Sequence, residues 1–266
     1  MTLPDSEIQS IKDCAMAMAD AARSVTLAYF RTDQLATENK LNEGFDPVTR
    51  ADREAEQAMR GILAERRPDD AILGEEFGAQ AGTSGLTWVL DPIDGTRGFM
   101  SGTPTWGVLI AVSDAHGPFY GVIDQPFIGE RFIGGFGEAH YSGPHRTGAL
   151  GVRKTQDLAD AVVFTTFPEI GTAQEGAAFH RVAAEAKLVR YGMDCYAYAL
   201  LAAGQIDLVI EAGLQSYDIQ APIAVIQAAG GVVTNWQGKP AHEGGQVLAA
   251  ATPALHATVL KLLAST

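Results

Sequence analysis

The stretch W-V-L-D-P-I-D-G-T-R-G-F-M, residues 88–100, sets two aspartates three positions apart at the end of an apolar run. Pro92 biases Asp91 towards extended backbone, so we expect the strand to end at Asp91 with its carboxylate beyond the sheet edge. Gly95 permits a close backbone approach, and Thr96 opens the helix that R-G-F-M begins. Like charges held this close repel each other unless a cation lies between them. The stretch therefore predicts a cation site.

Helices and strands are predicted on both sides of this stretch in the first half of the chain, residues 1–150. Apolar residues recur at helical spacing over 6–30, and a second helical pattern over 47–66 stops before Pro68. Glycine and proline separate short β-like runs at 71–74, 86–91, 106–112, 119–124 and 130–135. We expect helices packed on a largely antiparallel sheet.

The second half, residues 151–266, alternates strand and helix patterns. These patterns cover 161–165, 172–186, 195–203, 206–211, 218–229 and a terminal helix from about 253. The alternation predicts a smaller α/β layer that forms a single compact unit with the first half, with the border near residue 150.

Composition excludes several classes of function for this chain of 266 residues. The net charge of -13 opposes non-specific binding to nucleic acid or to an anionic membrane surface. The two cysteines, Cys14 and Cys195, and the six histidines show no metal-ligand spacing. No apolar run is long enough to span a bilayer, and the first residues lack a signal-peptide pattern. We therefore expect a cytoplasmic protein.

Further carboxylates stand where elements begin or end. Glu75 and Glu76 follow a short strand in G-E-E-F, and Asp218 begins a helix in S-Y-D-I-Q-A-P. The two aspartates of 88–100, the carbonyl of Ile93 and a phosphate oxygen would together form an all-oxygen shell, and the further carboxylates stand where they could share that site. Such a shell suits Mg²⁺ or Mn²⁺ and not zinc. The alternative is that each aspartate only forms a turn or caps a helix.

Four ordered motifs resemble the inositol monophosphatase family of Mg²⁺-dependent, typically lithium-sensitive phosphatases. They are D-P-V-T-R-A-D (46–52), G-E-E (74–76), W-V-L-D-P-I-D-G-T (88–96) and Y-D-I-Q-A-P (217–222). The resemblance implies an α/β (α+β) fold, the αβαβα layered sandwich of the inositol monophosphatase and fructose bisphosphatase type. It also implies a homodimer that acts on a small phosphate monoester with two or three Mg²⁺ ions.

The resemblance also assigns roles to individual residues. Asp52 would pair with Thr96 and act with Glu75 to orient the attacking water, and Lys40 corresponds to a lysine in the loop before the second helix. The implied metal ligands are Glu75, Asp91, Asp94 and Asp218, with the carbonyl of Ile93. The implied substrate contacts near the phosphate are Asp94, Gly95, Thr96 and Asp218.

The histidinol-phosphate phosphatase branch of the family is the most similar one. The segments L-G-E-E-F-G, D-G-T-R-G-F-M-S-G-T-P-T-W-G and Y-G-M-D-C-Y-A-Y carry this likeness. If the family layout holds, Asp194 and Glu211 lie near the leaving group and pair with the ammonium of L-histidinol. The alternatives are a helix N-cap for Asp194 and a solvated strand end for Glu211. The role of Arg97 stays open.

The expected reaction is hydrolysis of L-histidinol phosphate to L-histidinol and phosphate, a step of histidine biosynthesis. The alternatives within the same class are an inositol-1-monophosphatase and a phosphatase of broad sugar-phosphate specificity. The alternative from a different class is a regulatory partner of the transcription machinery. The acidic net charge and the full set of metal ligands that the resemblance implies favour an enzyme.

Overall fold

The computed structural model describes residues 3–33, 37–39 and 47–265. Within this part the chain forms seven α-helices: α1 (Asp5–Tyr29), α2 (Arg50–Arg66), α3 (Thr96–Ser101), α4 (Ala173–Glu185), α5 (Asp194–Ala202), α6 (Ser216–Ala228) and α7 (Pro253–Ala264). None of these seven helices combines the length and the apolarity that crossing a membrane requires.

Helix α2 begins later than its sequence pattern predicts. Thr49 is the N-cap, and its hydroxyl accepts a hydrogen bond from the Ala51 backbone N–H at 3.1 Å. The Asp52 carboxylate accepts from the Thr49 N–H at 2.9 Å, which completes a capping box. Because this box fixes the helix start, the preceding residues form strand β2 (Pro47–Thr49), which pairs antiparallel with β1 (Thr37–Asn39).

The larger sheet has eight strands: β3 (Ala71–Gly74), β4 (Gly78–Gln80), β5 (Thr87–Asp94), β6 (Gly107–Asp114), β7 (Gly117–Gln125), β8 (Glu130–Gly135), β9 (Glu138–Ser142) and β10 (Thr147–Ala149). Their order is β10-β9-β8-β7-β6-β5-β3-β4. Only the β3–β5 pair is parallel; the other neighbours in this sheet run antiparallel. The largely antiparallel sheet therefore agrees with the prediction, while β4, β9 and β10 extend it.

The smaller sheet has five strands: β11 (Val162–Thr165), β12 (Leu188–Tyr191), β13 (Leu208–Leu214), β14 (Val232–Thr234) and β15 (Gly245–Ala250). Their order is β12-β11-β13-β15-β14. The sequence pattern missed β12, β14 and β15. Strand β15 reads G-Q-V-L-A-A, and its glycine and alanines disfavour a strand until pairing with β13 and β14 imposes one.

The layers follow from the alternation of side chains along buried strands. In β5, Trp88 and Leu90 pack with α1 and α2, while Val89 packs on the opposite face with α5 and α6. Helices α5 and α6 also pack against the smaller sheet, whose other face is covered by α4 and α7. The order helix, sheet, helix, sheet, helix is the expected αβαβα sandwich. The predicted border near residue 150 falls between β10 and β11 and stays a prediction.

Helix α6 lies unusually close to the larger sheet because glycines face it. A Cβ at Gly121 would lie 2.5 Å from the Ala221 carbonyl oxygen, and one at Gly134 would lie 2.5 Å from Val225 Cα. These neighbours are backbone atoms, so they cannot rotate away as a side chain would. Since α6 carries Asp218, this close packing fixes the position of that carboxylate relative to the sheet.

We expect Gly134→Ala to lower the free energy of unfolding by about 1–3 kcal/mol, because its Cβ would force α6 away from β8. Urea unfolding followed by circular dichroism measures the change. Gly61→Ala is the control: Gly61 lies in α2, and no described atom is within 4 Å of its ideal Cβ. That substitution should add about 0.5–1 kcal/mol. Equal stability of the two variants would contradict the close-packing argument.

Candidate active site

Two acidic residues meet because β3 and β5 are parallel neighbours, whose carboxyl ends lie at the same sheet edge. Glu75 follows β3 in the turn before β4, and its backbone N–H donates to the Leu90 carbonyl at 3.1 Å. Asp91 follows Leu90 on β5. The Glu75 carboxyl is near enough to raise the pKa of Asp91.

The prediction that the strand ends at Asp91, with the carboxylate beyond the sheet edge, is wrong. Strand β5 continues to Asp94 through an irregularity in its pairing with β6, and Asp91 is 1% exposed. The bulge places Pro92, which lacks an N–H, where the ladder is interrupted. Asp91 Oδ1 accepts a hydrogen bond from the Ile93 N–H at 3.0 Å, which holds the bulge and the carboxylate together.

Three aspartates, two from β5 and one from the distant helix α6, converge at this edge. One carboxylate oxygen from each of Asp91, Asp94 and Asp218 lies within 4.8 Å of the others. Asp218 comes from the first turn of α6 and also accepts from the Gln215 N–H at 2.7 Å. The capping alternative is therefore correct for one oxygen of Asp218. Capping does not explain why α6 brings this carboxylate to two others.

The electrostatics of this cluster favour a bound cation. Burial raises the pKa of Asp91 well above its usual range, and the charges of Glu75, Asp94 and Asp218 raise it further. Burial and the neighbouring Asp218 likewise raise the pKa of Asp94. A divalent cation would replace this repulsion by attraction, and an all-oxygen ligand set fits Mg²⁺ or Mn²⁺. The residues present thus fit a metal ion.

Thr96 lies between the bulge and helix α2. Its hydroxyl is 3.2 Å from the Ile93 carbonyl oxygen and 3.5 Å from Asp52 Oδ1. Burial raises the pKa of Asp52 to about 7, and the charges of Glu75 and Glu76 add to the rise. The predicted Asp52–Thr96 pair is thus brought together.

The carbonyl of Ile93 faces the Thr96 hydroxyl, and the role of that carbonyl as a metal ligand stays a prediction. Lys40 lies outside the described residues.

Glu56 supports the acidic turn and was missed by the sequence analysis. Its buried carboxylate accepts from the backbone N–H groups of Glu76 at 2.7 Å and Phe77 at 3.2 Å, and from Arg60 Nε at 2.7 Å. The signal was present: Glu56 stands one helical turn after Asp52, on the same face of α2. Glu56 thereby holds the turn that carries Glu75.

A cavity of about 280 Å³ opens beside the aspartate cluster. It is lined by six of the predicted site residues, Asp94, Gly95, Thr96, Asp194, Glu211 and Asp218. Residues from β5, α3, α5, β13 and α6 therefore contribute to one space. The sequence predicted each of these six positions separately, and the fold brings them together.

Asp194 is not the N-cap of α5, so that alternative is wrong. Met193 is the N-cap residue, and Asp194 is the first residue of the helix, with a positive φ of 45°. Its Oδ2 accepts a hydrogen bond from the Thr105 hydroxyl at 2.9 Å. Gly95, with φ 85°, gives Asp194 room, since a Cβ there would lie 2.7 Å from the Asp194 Cγ. Asp194 therefore lines the cavity and does not cap the helix.

Glu211 is not a solvated strand end, because it is 5% exposed. Its carboxylate accepts hydrogen bonds from the Thr165 hydroxyl at 3.1 Å, the Thr166 N–H at 2.7 Å and the Thr166 hydroxyl at 2.9 Å. Burial nevertheless raises the pKa of Glu211 to about 7, and nearby Asp194 adds to the rise. A positive group in the cavity would stabilise the ionised form.

Three other residues that line the cavity had no assigned role. The guanidinium of Arg97 lies over the Phe167 ring, 5.0 Å from its centroid. The hydroxyl of buried Tyr198 has no hydrogen-bond partner among the residues that the structure describes. Phe167 stands in none of the quoted motifs, so no signal in the sequence pointed to it. Tyr198 ends the quoted segment Y-G-M-D-C-Y-A-Y, but the segment gave its hydroxyl no role.

Comparison of the sequence with models of known protein families agrees with the fold and with the acidic site. The sequence model of the inositol monophosphatase family matches residues 7–266. The chain belongs to the inositol monophosphatase family. It is therefore a member of a family of phosphatases, and its layered sandwich is the fold of that family.

Individual relatives extend this result. The bifunctional phosphatase IMPL2, chloroplastic, of Arabidopsis thaliana is 40% identical over 240 residues, which cover 89% of this chain and 67% of the relative. A histidinol-phosphatase of Streptomyces coelicolor is 34% identical and covers 94% of this chain and 95% of its own. Among solved structures, an inositol monophosphatase from Zymomonas mobilis superposes with a TM-score of 0.85 at 34% identity, over 98% of this chain and 99% of that one.

Proposed function

We propose that this phosphatase is Mg²⁺-dependent and that its substrate is L-histidinol phosphate. The observation that carries the proposal is the pair of carboxylates, Asp194 and Glu211, in the cavity beside the aspartate cluster. A phosphate monoester bound at the cluster would direct its leaving group into this cavity. Two carboxylates there favour a leaving group with a positive charge, and the amine of L-histidinol supplies one.

The metal would be held by the side chains of Glu75, Asp91, Asp94 and Asp218, with the carbonyl of Ile93. When bound, Mg²⁺ supplies positive charge that stabilises the phosphoryl oxygens and the departing alkoxide in the transition state. The acidic cluster supplies the oxygen ligands that this ion prefers. The bulge in β5 and the close seating of α6 hold these ligands in place before the ion binds.

The attacking water is oriented by Glu75 and by the pair of Thr96 and Asp52. The Thr96 hydroxyl lies 3.5 Å from Asp52 Oδ1, and the other Asp52 oxygen is held by the cap of α2. An anchored carboxylate beside a hydroxyl fixes the direction in which the hydroxyl donates, and so aligns the water with phosphorus. The turn that carries Glu75 is fixed in turn by Glu56.

Charge in the cavity supports an amine on the leaving group. Its lining includes four carboxylates and one guanidinium, that of Arg97. Two of the four, Asp94 and Asp218, belong to the metal cluster. The remaining pair, Asp194 and Glu211, exceeds Arg97 by one negative charge when both are ionised. A buried carboxylate without a counter-charge is costly, and a bound ammonium would offset that cost.

Phosphate release from L-histidinol phosphate and from inositol 1-phosphate tests the proposal. With Mg²⁺ present, we expect kcat/KM to be at least about tenfold higher for L-histidinol phosphate, as one charge-assisted contact provides. A chelator should abolish both activities, and added Mg²⁺ should restore them. A higher kcat/KM for inositol 1-phosphate would overturn the proposed substrate, and full activity in the chelator would overturn the metal requirement.

Inositol-1-monophosphatase activity is the second candidate, supported by the likeness to the Zymomonas mobilis enzyme. The shared αβαβα frame accepts either leaving group, so discrimination depends on the cavity and not on the metal ligands. The carboxylate pair favours the amine over a neutral polyol. A homodimer and a regulatory partnership with the transcription machinery stay predictions.

A further inference from the structure

Asp194 occupies a place that only small neighbours make available. A Cβ at Gly98 would lie 3.1 Å from Asp194 Oδ2, 3.0 Å from the Thr103 hydroxyl oxygen and 3.2 Å from the Thr105 hydroxyl oxygen. Such contacts are tighter than ordinary van der Waals separation, so a side chain at Gly98 would press on the carboxylate. Helix α3 therefore leaves room for Asp194 at Gly98.

Thr105 fixes the direction in which Asp194 points. Its hydroxyl donates to Asp194 Oδ2 at 2.9 Å across 89 positions of the chain. This bond engages one carboxylate oxygen of Asp194, a residue that lines the cavity. It also offsets part of the cost of burying the charge, because a hydrogen bond stabilises the ionised form.

Arg97 does not replace this support, although its charge also stabilises ionised Asp194. The Arg97 guanidinium lies over the ring of Phe167, an exposed residue that also lines the cavity. The stacked pair therefore forms a side wall, whereas Thr105 and Gly98 determine where the carboxylate itself lies.

We propose that Gly98 and Thr105 are specificity-determining positions. Gly98 provides the space that the Asp194 side chain occupies, and Thr105 provides the hydrogen bond that orients its carboxylate towards a cationic leaving group. Both act through Asp194 and are positioning residues. The proposal rests on the proposed function, since it concerns how this site selects an amino-alcohol phosphate. It predicts that disturbing either position weakens binding of charged leaving groups more than of neutral ones.

The test compares L-histidinol phosphate with glycerol 2-phosphate, whose leaving group is neutral. We expect Thr105→Val, which keeps the shape and removes the hydroxyl, to raise KM for L-histidinol phosphate about tenfold. KM for glycerol 2-phosphate should change less than about twofold, and kcat for both should stay within about threefold. Gly98→Ala should shift the same ratio in the same direction. Thr103→Val is the control, because that hydroxyl bonds the Gly98 carbonyl at 3.1 Å and not Asp194.

A double variant separates positioning from a general structural effect. In an Asp194→Ala background, Thr105→Val should add nothing to the loss for L-histidinol phosphate, since its partner is gone. Additive losses, or equal losses for both substrates, would overturn the proposal while leaving the proposed function intact. If the wild type instead prefers glycerol 2-phosphate, the proposed function itself fails, and this inference with it.

Discussion

An Asp94→Asn variant should lose about a thousandfold or more in phosphate release, because it removes one charge from the acidic cluster that we propose as the metal site. Asp94 lies within 4.8 Å of Asp91 and Asp218 at their carboxylate oxygens. Asparagine keeps the size of the side chain and an oxygen that can accept from the Cys195 N–H, now 2.6 Å from Asp94 Oδ2. The substitution therefore changes charge more than packing.

The same variant should fold at least as well as the wild type in a chelator. Burial and the charge of Asp218 raise the pKa of Asp94, so its ionised form opposes folding, and the neutral amide removes that opposition. Thermal unfolding with and without Mg²⁺ checks both halves of the argument. The rise in Tm that Mg²⁺ gives the wild type should be lost in the variant.

Asp157→Asn is the matched control for Asp94→Asn. Asp157 is an exposed residue that precedes a short 3-10 helix (Leu158–Asp160), and its side chain makes no capping hydrogen bond there. It does not line the cavity. Its activity and its response to Mg²⁺ should equal those of the wild type. Activity of Asp94→Asn within tenfold of the wild type would show that the acidic cluster does not hold the catalytic metal.

Elements with a strong local pattern were predictable from the sequence. The period of α1 and the apolar runs of β5 and β6 are properties of consecutive residues, so they appear without knowledge of the fold. Strands β12, β14 and β15 were not, because they are short and owe their conformation to neighbours distant in the chain. The bulge after Asp91 was missed because Pro92 predicts a strand end. Only the pairing of β5 with β6 shows that the strand continues to Asp94.

The site shows the same division. The spacing of D-P-I-D-G-T predicted two neighbouring carboxylates, and the ends of predicted elements added those of G-E-E-F and Asp218. The resemblance to a family then selected Glu75 and added Asp52. Sequence could not show that Asp194 depends on Thr105, because these residues are far apart in the chain and each is ordinary by itself. It also could not show the burial of Glu211. A charge at the surface has little effect on stability, whereas the buried charge of Glu211 lowers the free energy of unfolding when it is ionised.

Because the buried charge of Glu211 destabilises the folded protein, we expect the Glu211→Gln variant to be more stable than the wild type above neutral pH. Burial raises the pKa of Glu211 from 4.5 to about 7, so the folded protein holds a proton that the unfolded chain releases. Below pH 4.5 the carboxyl is protonated in both states and costs nothing. Between pH 4.5 and 7 the wild type progressively loses free energy of unfolding, and above pH 7 the loss is complete.

The expected advantage of Glu211→Gln at pH 8 is up to about 3 kcal/mol in the free energy of unfolding, and near zero at pH 4. Urea unfolding at several pH values, in a chelator, measures it as a difference in which the other titrating groups cancel. The exposed Glu169→Gln serves as control and should show no such trend. An advantage that is independent of pH would mean that packing and not charge separates the two proteins.

The effect of L-histidinol on stability tests whether the buried charge of Glu211 takes part in substrate binding. If the amine of L-histidinol binds beside Glu211, it stabilises the ionised carboxylate, so added L-histidinol should raise the stability of the wild type most at pH 8. The Glu211→Gln variant lacks the charge and should gain much less. The free energy of unfolding that the protein loses through ionised Glu211 would thus be regained when a cation binds. The substrate site would then lower the stability of the protein when it is empty. Equal gains for both proteins would separate the buried charge from substrate recognition.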